Sequence, residues 1–326
     1  MSVSQRAVSE DEADIRLDRW FRRHFPGLGQ GAVQKLCRTG QIRVDGRRAE
    51  AGTRLQAGQM VRVPPLPPPA PPVAPAAPDP VLRAELERLI LYQDEQLIVI
   101  DKPFGLLVQG GPGITLHLDG LVTALARDGQ KPLLVHRLDR DTSGVLLLAR
   151  SPGVAAKLAA GFRGRDMEKT YWALVVGRPN PTEGRIDAAL VRTRDGNGAR
   201  SEIAGPDDPA AARAMTDYRT RDHAARKLSW LELRPLTGRT HQLRVHCAAL
   251  GTPIVGDPKY GELRDPVWAA RVEGFAPKLH LHARRLLLPH PAGGMLEVSA
   301  PPPAHMRESF ARLGFVIPAT PPPRRF

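Results

Sequence analysis

Residues 64 to 80 read PPLPPPAPPVAPAAPDP, ten prolines in seventeen positions. A proline ring fixes its own φ and removes the backbone N–H, so this stretch can enter neither a helix interior nor an inner strand. It reads as an extended, semi-rigid spacer that splits the chain into a short N-terminal part and a longer C-terminal part. An SH3-type ligand is the other reading of such a run, but nothing else in the sequence suggests signalling. The closing PATPPPRRF has the same bias, and residues 317–326 read as a disordered tail.

The 326 residues suit a catalytic-sized core plus a smaller module. No apolar run approaches the roughly twenty residues of a membrane span, so no membrane association is expected. The leading MSVSQRAVSEDEAD is polar and acidic, unlike a secretory signal or a basic transit peptide, which points to the cytoplasm. Cys37 and Cys247 stand alone, without ligand spacing, so neither a disulfide framework nor a metal site is expected. A net charge of +13 points to a polyanion, most simply nucleic acid. Arginine supplies 39 of the 47 basic residues, so genome base composition offers a competing account that charge alone does not separate.

Before the spacer, Leu17, Trp20, Phe21 and Phe25 recur at helical spacing, and Val33, Leu36 and Cys37 repeat the pattern, with Gly40 placed as a helix stop. Ile42 and Val44 then alternate with Arg43, Asp45-Gly46 supplies a hairpin turn, and Arg47 and Arg48 open the return strand. Residues 15 to 63 hold eleven Lys+Arg against three Asp+Glu, so a surplus of eight charges sits in a unit too small to enclose a ligand pocket. Arg16, Arg19, Lys35, Arg38, Arg43, Arg47 and Arg48 are the candidate phosphate contacts. A solvated helix face is the alternative.

After the spacer, LIVID (97–101), VLLLA (145–149), YWALVV (171–176) and LSWLELRPL (228–236) read as strands. PGVAAKLAAGF, THQLRVHCAALG and PAHMRESFARLGF read as helices, the second with Thr240 as N-cap. Strands and helices mix without a steady βα rhythm, which predicts an α+β core with a mostly antiparallel sheet and flanking helices. There is no G-x-x-x-x-G-K-[ST], GLGQG follows a helix rather than a strand, and H-E-x-x-H and G-x-S-x-G are missing, so no cofactor is expected.

The densest polar stretch is HRLDRDTSG, residues 136–144. Asp139 and Asp141 between Arg137 and Arg140 fit a paired-carboxylate hydrolase, a salt-bridged turn, or a single nucleophilic aspartate. Composition alone favours the salt-bridged turn.

HRLDRDTSG resembles the signature of the RluA-type pseudouridine synthases. DKPFGLLV (101–108), KTYWALVVG (169–177), GRTHQLRVH (238–246), GDPKYG and LHA agree with it in order. Residues 14–63 resemble an S4 domain, a small α/β RNA-binding module, and that combination resembles the RluC-like subgroup acting on large-subunit (23S) ribosomal RNA. The implied organisation is an S4 domain over 14–63, a linker over 64–80, a catalytic domain over 81–316 and the tail.

The resemblance assigns Asp139 as the attacking carboxylate and Asp141 as a supporting residue. Tyr171 becomes the ring packed on the target base and a proposed proton acceptor, and Arg244 the ion-pair partner of Asp139. Leu243 becomes an apolar wall of the base pocket, and Arg137 the residue filling the space of the flipped nucleotide. His136, His241 and His246 are expected to be structural or RNA-contacting rather than bases. Gln109 stands where many relatives carry His. Isomerising uridine needs no redox partner, so the resemblance also implies no cofactor or metal. The implied partner is ribosomal RNA, naked or in an assembly particle, and monomer is the simplest state. A catalytically inactive RNA-binding or assembly factor is one rival; a metal-dependent hydrolase using Asp139 and Asp141 is another.

Overall fold

Leu17, Trp20 and Phe21 fall on one side of a helix because their spacing follows the 3.6-residue turn, and all three are fully buried. The computed structural model in which they sit describes residues 3–25, 27–66, 80–110, 116–164, 166–195, 198–225, 227–261, 270 and 272–326. It separates into two units, Met1–Ala76 and Ala77–Phe326. Most of the proline-rich spacer, residues 67–79, lies outside the described residues.

In the first unit, β1 (Ser4–Ala7), β2 (Arg43–Val44), β3 (Arg47–Arg48) and β4 (Met60–Val63) form an antiparallel sheet in the order β1-β4-β2-β3. Helices α1 (Leu17–His24) and α2 (Gln30–Arg38) close over a core that also takes in Val33, Ile42, Leu55 and Val61. Asp45 and Gly46 join β2 to β3 with φ of +48° and +76°, the paired positive values of a type I′ turn. The four residues of β1 are all exposed, so this strand has no alternation by which the sequence could announce it.

The second unit opens with α3 (Pro80–Glu87). The spacer therefore ends one residue earlier than its composition suggests: proline is well suited to the first helical position, where its N–H is not needed. The strands are β5 (Ile90–Gln93), β6 (Leu97–Lys102), β7 (Leu133–Leu134), β8 (Ser143–Ala149), β9 (Glu168–Val176), β10 (Glu183–Asp187), β11 (Leu190–Asp195), β12 (Gly198–Ile203), β13 (Met215–Ala224), β14 (Leu228–Pro235), β15 (Leu281–Pro289), β16 (Met295–Ser299) and β17 (Arg324–Arg325). The main sheet runs β10-β13-β14-β9-β15-β8-β6-β5, with β7 on β8 and β16 and β17 beyond β15. The β8–β15 pair is parallel and the remaining pairs are antiparallel. This is the α+β, mostly antiparallel core expected from the sequence.

The unbroken apolar runs have a direct cause, since the central strands are buried on both faces. In β6, Leu97 and Val99 join one cluster, Ile98 and Ile100 another; in β8, Val145 and Leu147 face away from Leu146 and Leu148 in the same way. Helices α4 (Leu118–Leu121) and α5 (Pro152–Gly164) lie on opposite sides of these strands, with Leu118 in one cluster and Leu158 in the other. Strand β9 repeats the division. Ala173 and Val175 pack against Leu243 and Cys247 of α6 (Gln242–Ala249), whereas Trp172 and Leu174 pack against Met306 and Phe310 of α7 (Ala304–Arg312). Tyr171 shares the α6 side of β9, where two core clusters meet.

Two expectations change. The C-terminus is not a free tail: Arg324 and Arg325 pair with Glu297 and Leu296 of β16, and Phe326 exchanges backbone hydrogen bonds with Met295 at 2.7 and 3.0 Å. The prolines cannot donate to a sheet edge, but the three residues after them can. Helix α6 is also capped by His241 rather than Thr240, and His241 holds a left-handed φ of +53°.

Candidate active site

Asp139 stands on a turn whose every neighbour is tied down. The Asp139 carbonyl accepts from the Thr142 N–H at 3.2 Å, closing the turn. Behind it, the Arg140 carbonyl accepts from the Gly105 N–H at 3.0 Å and from Lys102 Nζ at 2.9 Å. Lys102 is fully buried and donates to two more carbonyls, those of Pro103 and Leu106, at 2.9 and 2.8 Å. Burial lowers its pKa to about 8, against the opposing pull of Asp141, Asp139 and Asp101. On the N-terminal side, His136 accepts the Leu147 N–H at 3.0 Å and packs on Phe162, and Leu138 is buried in the core. Burial pushes the His136 pKa down to about 3, as its acceptor role requires.

The remainder of the turn explains its Ser-Gly ending. Ser143 Oγ lies 2.9 Å from His282 Nδ1, both buried, where β8 runs parallel to β15. Gly144, at φ +108°, passes so close to β15 that a Cβ would lie 2.2 Å from the Ala283 carbonyl oxygen. No side chain fits there, which makes the glycine a packing requirement.

Across from the turn, α6 presents Arg244 and its cap residue His241. Arg244 Nη1 and His241 Nε2 each lie 3.9 Å from Asp139 Oδ2. Arg244 is 4% exposed and is itself held by a fork to the fully buried Asp257. Its Nε reaches Oδ2 at 2.7 Å and its Nη2 reaches Oδ1 at 2.6 Å. Burial works against the charged guanidinium, but the Asp257 bonds and the Asp257 and Asp139 charges outweigh it and raise the Arg244 pKa. The Tyr260 ring lies under the guanidinium at 5.0 Å.

These elements enclose a cavity of about 640 Å³, within the range of pockets that hold a small molecule. Asp139, Arg137, Tyr171, Leu243 and Arg244 all line it, so the five candidate catalytic and base-binding residues converge in space. Arg137 is exposed and Leu243 is 7% exposed, a solvent-facing cation and an apolar wall respectively. Tyr171 has its phenol pushed upward by burial and then by the Asp139 charge. Arg163, Lys169, Arg213 and Arg239 add cations to the same walls.

Asp141 faces elsewhere. Arg140 clasps it at 2.9 and 3.1 Å, and both line a separate cavity of about 520 Å³ that Asp139 does not enter. The turn divides the two carboxylates that a hydrolase would need together, and no group of three or more potential metal ligands occurs among the described residues. His246 is fully buried between Thr216 and Ala188, a structural role, whereas His241 lines the cavity. The sequence-derived site omitted Lys102, Asp257, Tyr260 and His241. The first three lie inside the DKPFGLLV and GDPKYG segments, yet nothing local marks them, because each acts on a partner from a different segment.

In the first unit the seven candidate phosphate contacts separate into two groups. Arg16 is bonded to Asp18 at 2.8 and 3.1 Å, and Arg43 donates to the Gly40 and Gly46 carbonyls at 3.3 Å. Those two cations serve the fold. Arg19, Lys35, Arg38, Arg47 and Arg48 are exposed and make no salt bridge among the described residues.

Comparison with known proteins places the second unit, with its sheet, Asp139 turn and α6, among the RNA-modifying isomerases that convert uridine to pseudouridine. The family described as RNA pseudouridylate synthase matches residues 96–249, the stretch that carries Lys102, the Asp139 turn, Tyr171 and α6. The chain belongs to this family, in its RluA-type branch. It is 33% identical over 309 residues to the ribosomal large subunit pseudouridine synthase C of Vibrio cholerae, covering 94% of this chain and 95% of that protein. The protein of the same name from Escherichia coli is 32% identical over 302 residues, with 92% and 93% covered. The solved structure of human RNA Pseudouridylate Synthase Domain Containing 4 superimposes with a TM-score of 0.60 at 31% identity, over 73% of this chain and 98% of that one. Among the described residues, no helix is long and apolar enough to cross a membrane.

Proposed function

We propose that this enzyme isomerises defined uridines of large-subunit (23S) ribosomal RNA, with Asp139 as the attacking carboxylate. The observation that carries the reading is the approach of Arg244 Nη1 and His241 Nε2 to one oxygen of Asp139 at 3.9 Å, inside the cavity that Tyr171 and Leu243 also line. The reaction breaks the N1–C1′ bond, rotates the uracil and forms the C5–C1′ bond; the C5 proton is lost and N1 gains one. Atoms and electrons balance without a co-reactant. A carboxylate nucleophile, a base platform and a site that excludes water meet its needs.

Tyr171 serves as the ring on which uracil packs. Its raised pKa counts against a phenolate that would take the C5 proton. Leu243 supplies the apolar wall, and the exposed Arg137 fills the gap left by the flipped nucleotide, offsetting an unstacking cost of a few kcal/mol. Arg163, Lys169, Arg213 and Arg239 suit the flanking phosphates. The names of the curated relatives support the ribosomal substrate, and with it a cytoplasmic location; a monomer is the simplest working state.

The first unit acts as an S4-type RNA grip, using Arg19, Lys35, Arg38, Arg47 and Arg48. Replacing three of these with Ala should flatten the dependence of RNA affinity on salt concentration. A catalytically inactive assembly factor is the rival reading, and the convergence of Asp139, Tyr171 and Arg244 counts against it. Asp139→Asn decides between them. Purified variant and parent enzymes are incubated with 23S rRNA from a deletion strain, and pseudouridines are mapped by carbodiimide adducts and reverse transcription. Loss of the signal with RNA binding retained is expected; retained isomerisation would overturn the assignment.

A further inference from the structure

His241 opens α6 in a left-handed backbone conformation, φ +53° and ψ +18°, which a non-glycine residue adopts at a cost. Its ring has a polar neighbour at each nitrogen, one of them within hydrogen-bond distance. Nδ1 lies 2.8 Å from the Tyr260 hydroxyl, and Nε2 lies 3.9 Å from Asp139 Oδ2. The Tyr260 hydroxyl oxygen accepts the Ser201 backbone N–H at 2.9 Å, and with the acceptor-only Asp139 carboxylate facing Nε2, the arrangement that satisfies every group has the Tyr260 O–H donating to His241 Nδ1. A ring that accepts at Nδ1 carries its hydrogen on Nε2 when neutral. Burial lowers the His241 pKa and keeps it neutral, although the Asp139 charge pulls the other way. The Nε2–H therefore points at the carboxylate. Arg244 Nη1 approaches the same oxygen, so the approach of both groups is to Asp139 Oδ2.

We propose that His241 is a tautomer-locked hydrogen-bond donor that, with Arg244, grips one oxygen of Asp139 and leaves the other for the substrate, and that Tyr260 is the positioning residue that sets the tautomer. At 3.9 Å both groups stand beyond hydrogen-bond distance of Asp139, a looseness common in unliganded sites that tightens when substrate arrives. The inference rests on the reading of Asp139 as the attacking group.

The test uses two amide replacements in the full-length enzyme. In His241→Gln the amide nitrogen reaches the position of Nε2 and can still donate to Asp139. In His241→Asn it reaches only the position of Nδ1. Asn accepts the left-handed backbone more readily than Gln, so a purely structural role would make His241→Asn the better variant in every assay. The donor role predicts the opposite order for the chemistry: His241→Asn melts at the higher temperature, yet its single-turnover rate is at least tenfold below that of His241→Gln, with RNA affinity equal in both. Tyr260→Phe should slow the parent about tenfold and leave the rate of His241→Gln unchanged, because an amide has no tautomer to set. A His241→Asn rate equal to or above that of His241→Gln, or a Tyr260→Phe penalty of the same size in both backgrounds, would overturn the inference. Asp139→Asn separates the two levels: if it remains active, the reading of Asp139 fails; if it is dead while the His241 variants follow the structural order, only this inference fails.

Discussion

Arg244 and Asp257 meet as a two-bond fork, Nε to Oδ2 at 2.7 Å and Nη2 to Oδ1 at 2.6 Å, which leaves Nη1 as the nitrogen that faces Asp139. Two parallel bonds fix the guanidinium plane as well as its position. Asp257 is fully buried and also accepts the backbone N–H groups of Lys259 and Tyr260, so the fork is anchored to the GDPKYG loop. The orientation of the group facing Asp139 is therefore set from a residue that does not line the cavity.

Removing that anchor should be costly. Asp257→Ala strands a buried guanidinium, and loss of one partner of a buried pair typically costs about 3–5 kcal/mol. Asp257→Asn keeps one acceptor and should fold better, while letting the arginine plane rotate. Denaturant midpoints should fall in the order parent, Asn, Ala. The single-turnover rate of the Asn variant should drop at least tenfold at unchanged RNA affinity.

Gly144→Ala tests the close approach of β8 to β15. The added methyl would lie 2.2 Å from the Ala283 carbonyl oxygen, at a φ of +108° that an alanine rarely adopts. Backbone cannot yield as a flexible side chain can, so the parallel pairing must part. A loss of about 3 kcal/mol or more in urea unfolding of the second unit is expected, of the order seen for overpacking and backbone strain combined.

Lys102 predicts an alkaline limit on rate. Its ammonium has three hydrogens for three carbonyls, those of Pro103, Leu106 and Arg140, and the neutral amine has two. With its pKa lowered to about 8 by burial, the turn beneath Asp139 loses one tether as pH rises through that value. The pH–rate profile should therefore fall above about pH 8 and flatten in Lys102→Met. Unfolding does not explain such a limb. Between about 8 and the ordinary 10.5 the unfolded chain binds more protons at this group than the folded one, so its linked stability rises with pH.

Acid should unfold the second unit through its buried histidines. His136 and His282 are lowered from 6.5 to about 3 and His280 to about 4, each chiefly by burial. A base with a depressed folded pKa contributes stability that is intact above 6.5 and is lost as pH falls toward the folded value. Each group then loses about 1.4 kcal/mol per pH unit in that window. The melting temperature should drop steeply from pH 6.5 to 5. His136→Gln should be less stable at neutral pH but show a shallower slope; an unchanged slope would refute this linkage for His136.

Much of the architecture is legible along the chain. LIVID and VLLLA announce strands because both faces of β6 and β8 are buried, and α1, α5 and α7 announce themselves by the spacing of their apolar residues. Other strands are silent. β10 is mostly exposed, and its register with β13 comes from backbone pairing that leaves no mark on composition. The C-terminal RRF looks like the end of a proline tail until β16 offers an edge to pair with.

For the site, the motif order by resemblance singled out Asp139, Tyr171 and Arg244, and the cavity brings them together. What holds them was left to the tertiary structure. Lys102 meets Arg140 across 38 residues, His282 meets Ser143 across 139, and Tyr260 meets His241 across 19. Apolar periodicity is a property of neighbouring residues, so sequence alone determines which segments bury a face, and resemblance adds which short run carries the candidate carboxylate. The partner of a buried hydrogen bond is decided by which distant segments the packed core brings within about 3 Å. Only the fold decides that Asp139 looks toward Arg244 and His241 while Asp141, two residues on, looks away.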